Sequence, residues 1–284
     1  MYGKTLCIAT GEDFIVNEKE QLILFKKAGF DGFFTSWNRR KNIKALADFA
    51  KELGLYFQSV HAPFGGCADL WEDDEEEVKK AITDITDCIH DCSDNSVPIM
   101  VSHTYIGFDY TDVPNEKGLE RYGRLIDEAE KCGVKIAFEN TEGEEFLEAL
   151  LKNFGSRKNV GFCLDTGHEM CYNRSKDLLA KYGENLIATH INDNLGITDS
   201  NGVITWHDDL HLLPYDGICD WDNFAKRIVK CGYDGPLTFE LNKTSKPDRH
   251  DNDKYTFMPT EQYIAEAYAR ACKVAQAVLK YENI

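Results

Sequence analysis

Alternation constrains this chain more than any other feature. Short β-branched or aromatic runs recur, each followed by a longer stretch with helical periodicity, and the pattern repeats eight times. "KTLCIAT" precedes a helix from about Asn17, "GFFTSW" precedes "KNIKALADFAKELG", "LYFQSVH" precedes "EDDEEEVKKAITDITDCIHDC", and "PIMVSH" precedes "EKGLERYGRLIDEAEKCG". In the second half "VKIAFEN" leads to "GEEFLEALLKNFG", "VGFCLDTGH" to "SKDLLAKYG", "LIATHIND" to "WDNFAKRIVKCG", and "PLTFELN" to a closing helix near "PTEQYIAEAYARACKVAQAVLKY". Strands that are apolar almost throughout are buried on both faces, as in a parallel sheet covered by helices. The expected fold is α/β, a single (β/α)8 TIM barrel over residues 1–284, with a doubly wound open sheet as the alternative.

Several of the expected helices end in glycine (Gly29, Gly54, Gly133, Gly155, Gly183, Gly232), the residue that accepts positive φ just past a helix C-terminus. No Pro- or Gly-rich linker divides the chain. The long connections after the third and seventh strands should lie over one mouth of the barrel.

Charge narrows the partners. The formal net charge of -17 would repel a polyanion, so nucleic acid is not expected. No window approaches the ~18 apolar residues of a membrane span, and "MYGKTLCIATGEDF" lacks the long apolar run of a signal sequence; a cytoplasmic protein is expected, with no membrane partner. Ten cysteines are scattered without a C-x-x-C pair, which reads as reduced, mostly buried thiols.

In a barrel of this kind the active groups sit at the C-terminal strand ends and in the following loops. Six neighbouring strands end in an imidazole or a carboxylate. The third ends in His61, the fourth in His103, the fifth in Glu139, the sixth in Asp165 with His168 just beyond, the seventh in His190 and the eighth in Glu240. Any one of these alone reads as a hydrogen-bonded structural group, and Asp165 before "TGHE" reads as a helix cap. Together they converge, and crowded buried charges are costly unless a cation neutralises them. A divalent metal is implied, and mixed carboxylate and imidazole ligands suit Mn, Co, Fe or Zn. The seventh loop adds a second pair, Asp209 and His211. His207, His90 and His250 read as loop or surface groups.

These segments carry a resemblance. The order and strand positions of "HAP", "FEN", "LDTGH", "HIND", "DLHLLPYDGICDW" and "FELN" resemble the xylose-isomerase-like TIM-barrel superfamily, the group of sugar isomerases, epimerases and endonuclease IV, over nearly the whole chain. The resemblance implies that Glu139, Asp165, His190 and Glu240 hold a divalent metal, and that Glu139 and Glu240 exchange protons with substrate carbons. Glu145 and His168 match positions that hold substrate oxygens. His61, His103, His168, Asp209 and His211 match the additional ligands that give endonuclease-IV-like members up to three zinc ions, and His61 and His103 are counted with the substrate contacts when only one ion is present. Dimers or tetramers are common in the group, so a homo-oligomer is in keeping with it.

Loop charge favours the isomerase or epimerase reading, in which a metal-stabilised enediolate forms from a small sugar or polyol. No Lys or Arg occurs from Ile187 to Ala225 or from Gln58 to Val78, whereas a phosphodiester backbone needs several. Lys243 and Lys246 alone could hold a phosphate near the last loops, and Arg39 and Arg40 read as a solvated helix start. Loop aromatics (Trp37, Phe64, Trp71, Phe108, Tyr110, Trp206, Tyr215) suit a sugar ring, Trp37 among them as a substrate contact. The alternatives are multi-zinc phosphoester hydrolysis, a lyase or eliminase on a sugar derivative using the same metal site, and a binder without catalysis.

Overall fold

The computed structural model describes residues 3–108 and 113–282. Tyr110 therefore lies outside the described residues. Eight strands form one parallel sheet: β1 Leu6–Ala9, β2 Gly32–Ser36, β3 Tyr56–His61, β4 Ile99–His103, β5 Lys135–Glu139, β6 Val160–Asp165, β7 Leu186–His190 and β8 Leu237–Phe239. Their order runs β7-β6-β5-β4-β3-β2-β1-β8, so every strand lies beside its sequence neighbour and the two ends of the sheet curl toward each other. They meet through one parallel pair, Ile191 with Phe239, where Ile191 N–H donates to the Thr238 carbonyl and Glu240 N–H to that of Ile191. The result is a barrel closed at a narrow join, and the open-sheet alternative is set aside.

Helices cover the outside: α1 Glu18–Ala28, α2 Ile43–Leu53, α3 Glu75–Asp94, α4 Glu116–Lys131, α5 Glu144–Phe154, the short α6 Thr166–Met170 and α7 Leu178–Tyr182, α8 Trp221–Lys230, the short α9 Asp253–Thr256 and the closing α10 Thr260–Glu282. Local chemistry sets their starts. Asn17, Asn42, Asp74, Asn115, Asp177 and Asp220 each accept a hydrogen bond from the first turn of the helix that follows, the arrangement that satisfies otherwise unpaired amides. Among the helix-ending glycines, Gly29, Gly54, Gly133 and Gly232 take the expected positive φ. Gly155 and Gly183 do not; both are right-handed, and what they need is room, since a Cβ on Gly183 would lie 2.3 Å from Cys231 Sγ.

The main apolar core lies between strands and helices, while a smaller cluster of Ile99, Val101, Ala137, Cys163 and Ala188 fills the barrel interior. Alternate residues of a strand share a face. Hence Val101, Ala137, Cys163 and Ala188 point inward, and two residues further on the same register turns His103, Glu139, Asp165 and His190 into the barrel mouth. The ten cysteines are free, six of them buried, as the thiol reading expects. Among the described residues no helix is long and apolar enough to cross a membrane.

Candidate metal centre

Glu139 is the hub. Its carboxylate is fully buried, with Oε2 3.1 Å from His61 Nε2 and 3.5 Å from His103 Nε2, and Oε1 3.1 Å from His190 Nδ1. His190 Nδ1 also lies 3.0 Å from Glu240 Oε2, so one imidazole nitrogen joins the two glutamates. Potential ligand atoms fall into three contiguous groups, each spanning no more than 4.8 Å: Glu139, Asp165, His190 and Glu240; His61, His103 and Glu139; and His168, Asp209 and His211. All nine strand-end and loop residues expected at the site are therefore brought together.

Backbone carbonyls select the ligating nitrogen of three imidazoles. Nδ1 of His61 donates to the Ala62 carbonyl at 2.7 Å, Nδ1 of His168 to that of Asn140 at 2.9 Å, and Nδ1 of His211 to that of Glu240 at 3.2 Å. Each bond leaves Nε2 with its lone pair directed at the cluster, the second-layer arrangement common to metal-binding histidines. Asp165 serves as both cap and candidate ligand: Oδ1 accepts from His168 N–H at 2.6 Å and Oδ2 from Asn192 Nδ2 at 2.9 Å. Asn140 locks the same residue from the other side, its amide bonding both the N–H and the carbonyl of Asp165. The two asparagines lie inside "FEN" and "HIND", one and two residues after candidate ligands; only geometry separates them from ordinary loop asparagines.

Without a cation these groups distort one another's protonation. Burial would push Glu139 up, but His190, His103 and His61 hold it well below the usual carboxylate range. Burial dominates at Asp165 and pushes it up to about 6. Glu240, opposed in the same way by burial, is drawn down to about 2 by His190. Burial disfavours a charged His168 and a charged His211, yet Asp165 and Asp209 raise the first well above an ordinary imidazole, and Asp209 raises the second to about 9. His103 is lowered by burial. Buried Asp209 Oδ1 and His103 Nδ1 take no hydrogen bond among the described residues, an arrangement native interiors avoid. Four carboxylates among five imidazoles, with unpartnered buried polar atoms among them, fit a divalent cation and suit Mn, Co, Fe or Zn.

Above the cluster lies a cavity of about 290 Å³, lined by His61, His103, Glu139, His168, Asp209, His211 and Glu240 and walled by Phe64, Phe108, Tyr172 and Trp206. Lys246 reaches it, with Nζ 3.2 Å from Asp209 Oδ2. Four expectations need correction. Trp37 is not at this cavity: it is buried in the helix-side core, its indole N–H donating to Asp91 at 2.6 Å, because β2 turns it outward. Trp71 is likewise core, donating to the Thr104 carbonyl. Glu145 lies on α5 beside a neighbouring cavity, and the carboxylate that reaches the metal cavity is Glu142, one turn earlier in the loop. Lys243 is buried and donates to the Thr256 carbonyl, which leaves Lys246 as the sole lysine lining the cavity. Glu142 and Tyr172 carried no signal of their own in the sequence. His207 stacks on Trp206, while His90 and His250 pair with Glu128 and Asp253 at the surface.

The pattern of the xylose isomerase-like TIM barrel family matches residues 22–271. An uncharacterized protein, y4fM of Sinorhizobium fredii, is 33% identical over 193 residues, which are 64% of this chain and 56% of that protein; the chain thus matches little more than half of this relative's length. Among solved structures, IolI protein with a bound zinc atom is 20% identical with a TM-score of 0.72, covering 99% of this chain and 100% of that one. D-psicose 3-epimerase from Clostridium cellulolyticum, solved with D-tagatose, is 19% identical with a TM-score of 0.64 and 98% coverage of both chains. A fusion of a xylose isomerase-like TIM barrel with 4-hydroxyphenylpyruvate dioxygenase aligns at a TM-score of 0.75 and 18% identity over 99% of this chain but 44% of that one. At such identities the structural likenesses establish the fold, and the match over most of the sequence establishes the lineage: this chain belongs to the xylose isomerase-like TIM barrel family.

Proposed function

We propose that the protein is a divalent-metal-dependent isomerase or epimerase of a small polyhydroxylated carbonyl compound, a ketose or aldose. One observation carries this reading: Glu139, Asp165, His190 and Glu240 converge, with Glu139 and Glu240 lining a small cavity with aromatic walls and Asp165 and His190 buried beside them. A cavity of about 290 Å³ is near the lower end of small-molecule sites and suits one sugar ring. The faces of Phe64, Tyr172 and Trp206 suit its C–H surface, while Lys246 offers a donor to its oxygens and His168 Nε2 an acceptor to its hydroxyls.

A divalent ion held by those four residues would polarise a carbonyl and its neighbouring hydroxyl. The protein's part is to move the proton. Glu240, with a quarter of its side chain open to the cavity, is the accessible carboxylate, and it takes the proton from the carbon beside the carbonyl. Glu139, in contact with His61, His103 and His190, faces the same space from β5 and returns a proton that one of these imidazoles relays to it, while the proton taken by Glu240 leaves to solvent before the next turnover. Asp165, capped and doubly tied, positions without exchanging. The aromatic walls exclude water while the carbanion exists.

The complete third group, His168, Asp209 and His211, favours a second reading, multi-zinc phosphoester hydrolysis. Against it, Lys246 from the loop after β8 already supplies a cation to Asp209, and the third and seventh loops carry no Lys or Arg for a phosphate backbone. Incubating the metal-loaded protein with ketoses and aldoses in deuterated water tests the proposal. Deuterium entering the carbon next to the carbonyl is expected; hydrolysis of a phosphodiester with no deuterium uptake by any sugar would replace it with the second reading.

A further inference from the structure

A second cavity of about 380 Å³ opens beside the first. The two share Phe108, Glu142 and Tyr172, so one wall separates and joins them. Glu142 stands at that wall. Its carboxyl is 5% exposed, is held by the Gly107 N–H at 2.8 Å, and is raised by burial, so it enters this boundary closer to neutrality than a surface glutamate. Tyr172 stacks over His168 with ring centroids 4.8 Å apart on the metal side and meets Phe108 edge-on at 5.5 Å on the other.

The outer cavity is lined by three carboxylates, Glu142, Glu144 and Glu145, against two cations, Arg174 and Lys176. Glu144 is occupied by Lys176 and Lys181, leaving in the same lining Arg174, which donates to the Gly202 carbonyl at 3.2 Å, and Glu145, which has no hydrogen bond or ion pair among the described residues. A phosphate or carboxylate placed there would meet two glutamates, Glu142 and Glu145, for each available guanidinium. A purely apolar group would strand both Arg174 and Glu145. Neutral hydroxyls satisfy both, since each hydroxyl donates to a carboxylate and accepts from a guanidinium, and the Phe108 and Tyr172 rings take the C–H face.

Resting on the isomerase reading of the metal cavity, we propose that the outer cavity is a subsite for a second hydroxylated ring, so that the substrate is a glycosylated sugar: the reacting unit sits over the metal ligands and the appended sugar unit lies between Tyr172 and Glu145.

The test compares the metal-loaded protein with D-fructose and with lactulose, a fructose carrying a galactosyl unit, by saturation-transfer NMR for binding and by deuterium uptake from solvent for turnover. Val203→Trp, which fills the outer cavity from an exposed loop position, and Glu145→Gln, which keeps shape but removes charge, supply the variants. The subsite predicts that lactulose binds about tenfold or more tightly than D-fructose, and that Val203→Trp removes this advantage while D-fructose binding stays within about twofold. Equal affinity for the two sugars, unchanged by Val203→Trp, would overturn the subsite while deuterium uptake from D-fructose left the isomerase reading standing. Absence of deuterium uptake from both sugars, with a lactulose preference still sensitive to Val203→Trp, would instead keep the subsite and sink the isomerase reading.

Discussion

Gly167 and Asn192 are in such close contact that a Cβ added to Gly167 would fall 2.1 Å from Asn192 Oδ1. The same asparagine amide holds Asp165 Oδ2 at 2.9 Å, so the glycine between Asp165 and His168 is what allows a loop from β7 to reach a residue at the end of β6. Gly167→Ala should push Asn192 away and leave Asp165 poorly aimed. Losing such a supporting contact typically lowers metal affinity about 10- to 100-fold, and a metal titration on a variant with native circular dichroism checks it. Unchanged affinity would mean that Asn192 plays no part in aiming Asp165.

Asp165→Asn keeps an oxygen to cap His168 N–H but removes the charge a cation needs. The fold should persist, because the group is already pushed up to about 6 and the buried site gains little from its ionised form alone. Elemental mass spectrometry should then find the ion lost from the four-residue group. Full metal content together with full activity would remove Asp165 from the site.

The number of ions per chain separates the two chemistries. With Lys246 beside Asp209, one ion per chain is expected in protein purified without chelator. Two or three zinc ions would shift the reading to phosphoester hydrolysis, and Lys246→Ala, by removing the cation that already serves Asp209, should let a second ion enter the His168, Asp209 and His211 group.

Trp37→Phe should leave any sugar activity as it was. What it removes is the indole hydrogen bond to Asp91, worth roughly 1.5–3 kcal/mol for a bond to a charged group, and urea unfolding reads that loss directly. A specific fall in sugar affinity with unchanged stability would contradict the placement of this residue in the core.

Acid should weaken the packing of α5 against α7. Burial alone would raise the Glu144 pKa, but Lys176 and Lys181 outweigh it and lower the group below its ordinary value. A lowered folded pKa contributes stability that is present above the unfolded value of about 4.3 and disappears as pH falls through the folded value. Glu144→Gln should therefore cost about 1 kcal/mol at pH 7 and progressively less below about pH 4, which parallel denaturant titrations at the two pH values would measure.

Most of the barrel was legible because each strand is short and apolar and most are followed by a helix with a side-chain cap, so local signals agreed with the global pattern. The ligand residues were legible for a related reason: a polar group two residues beyond an inward-facing Val101, Ala137, Cys163 or Ala188 must turn into the mouth. Loops broke that logic. Period alone cannot tell whether Trp37, just past a strand, turns in or out, nor that Glu142 rather than Glu145 reaches the metal cavity, because loop backbones have no repeating register. Glu142 differs from Glu145 only in lying before the first turn of α5, where the chain still hugs the barrel rim.

The join between β7 and β8 is a single pair, Ile191 with Phe239, and the candidate ligands His190 and Glu240 are the residues immediately next to it. An ion gripped by both would fasten the two free edges of the sheet like a clasp on a bracelet. Emptying the site would then do more than silence chemistry. It would leave the cylinder sewn by that bridge and the bond from Thr238 N–H to Thr189 Oγ1, and amide protons of Ile191 and Glu240 would become the first of the wall to trade with solvent, long before those of β4 or β5.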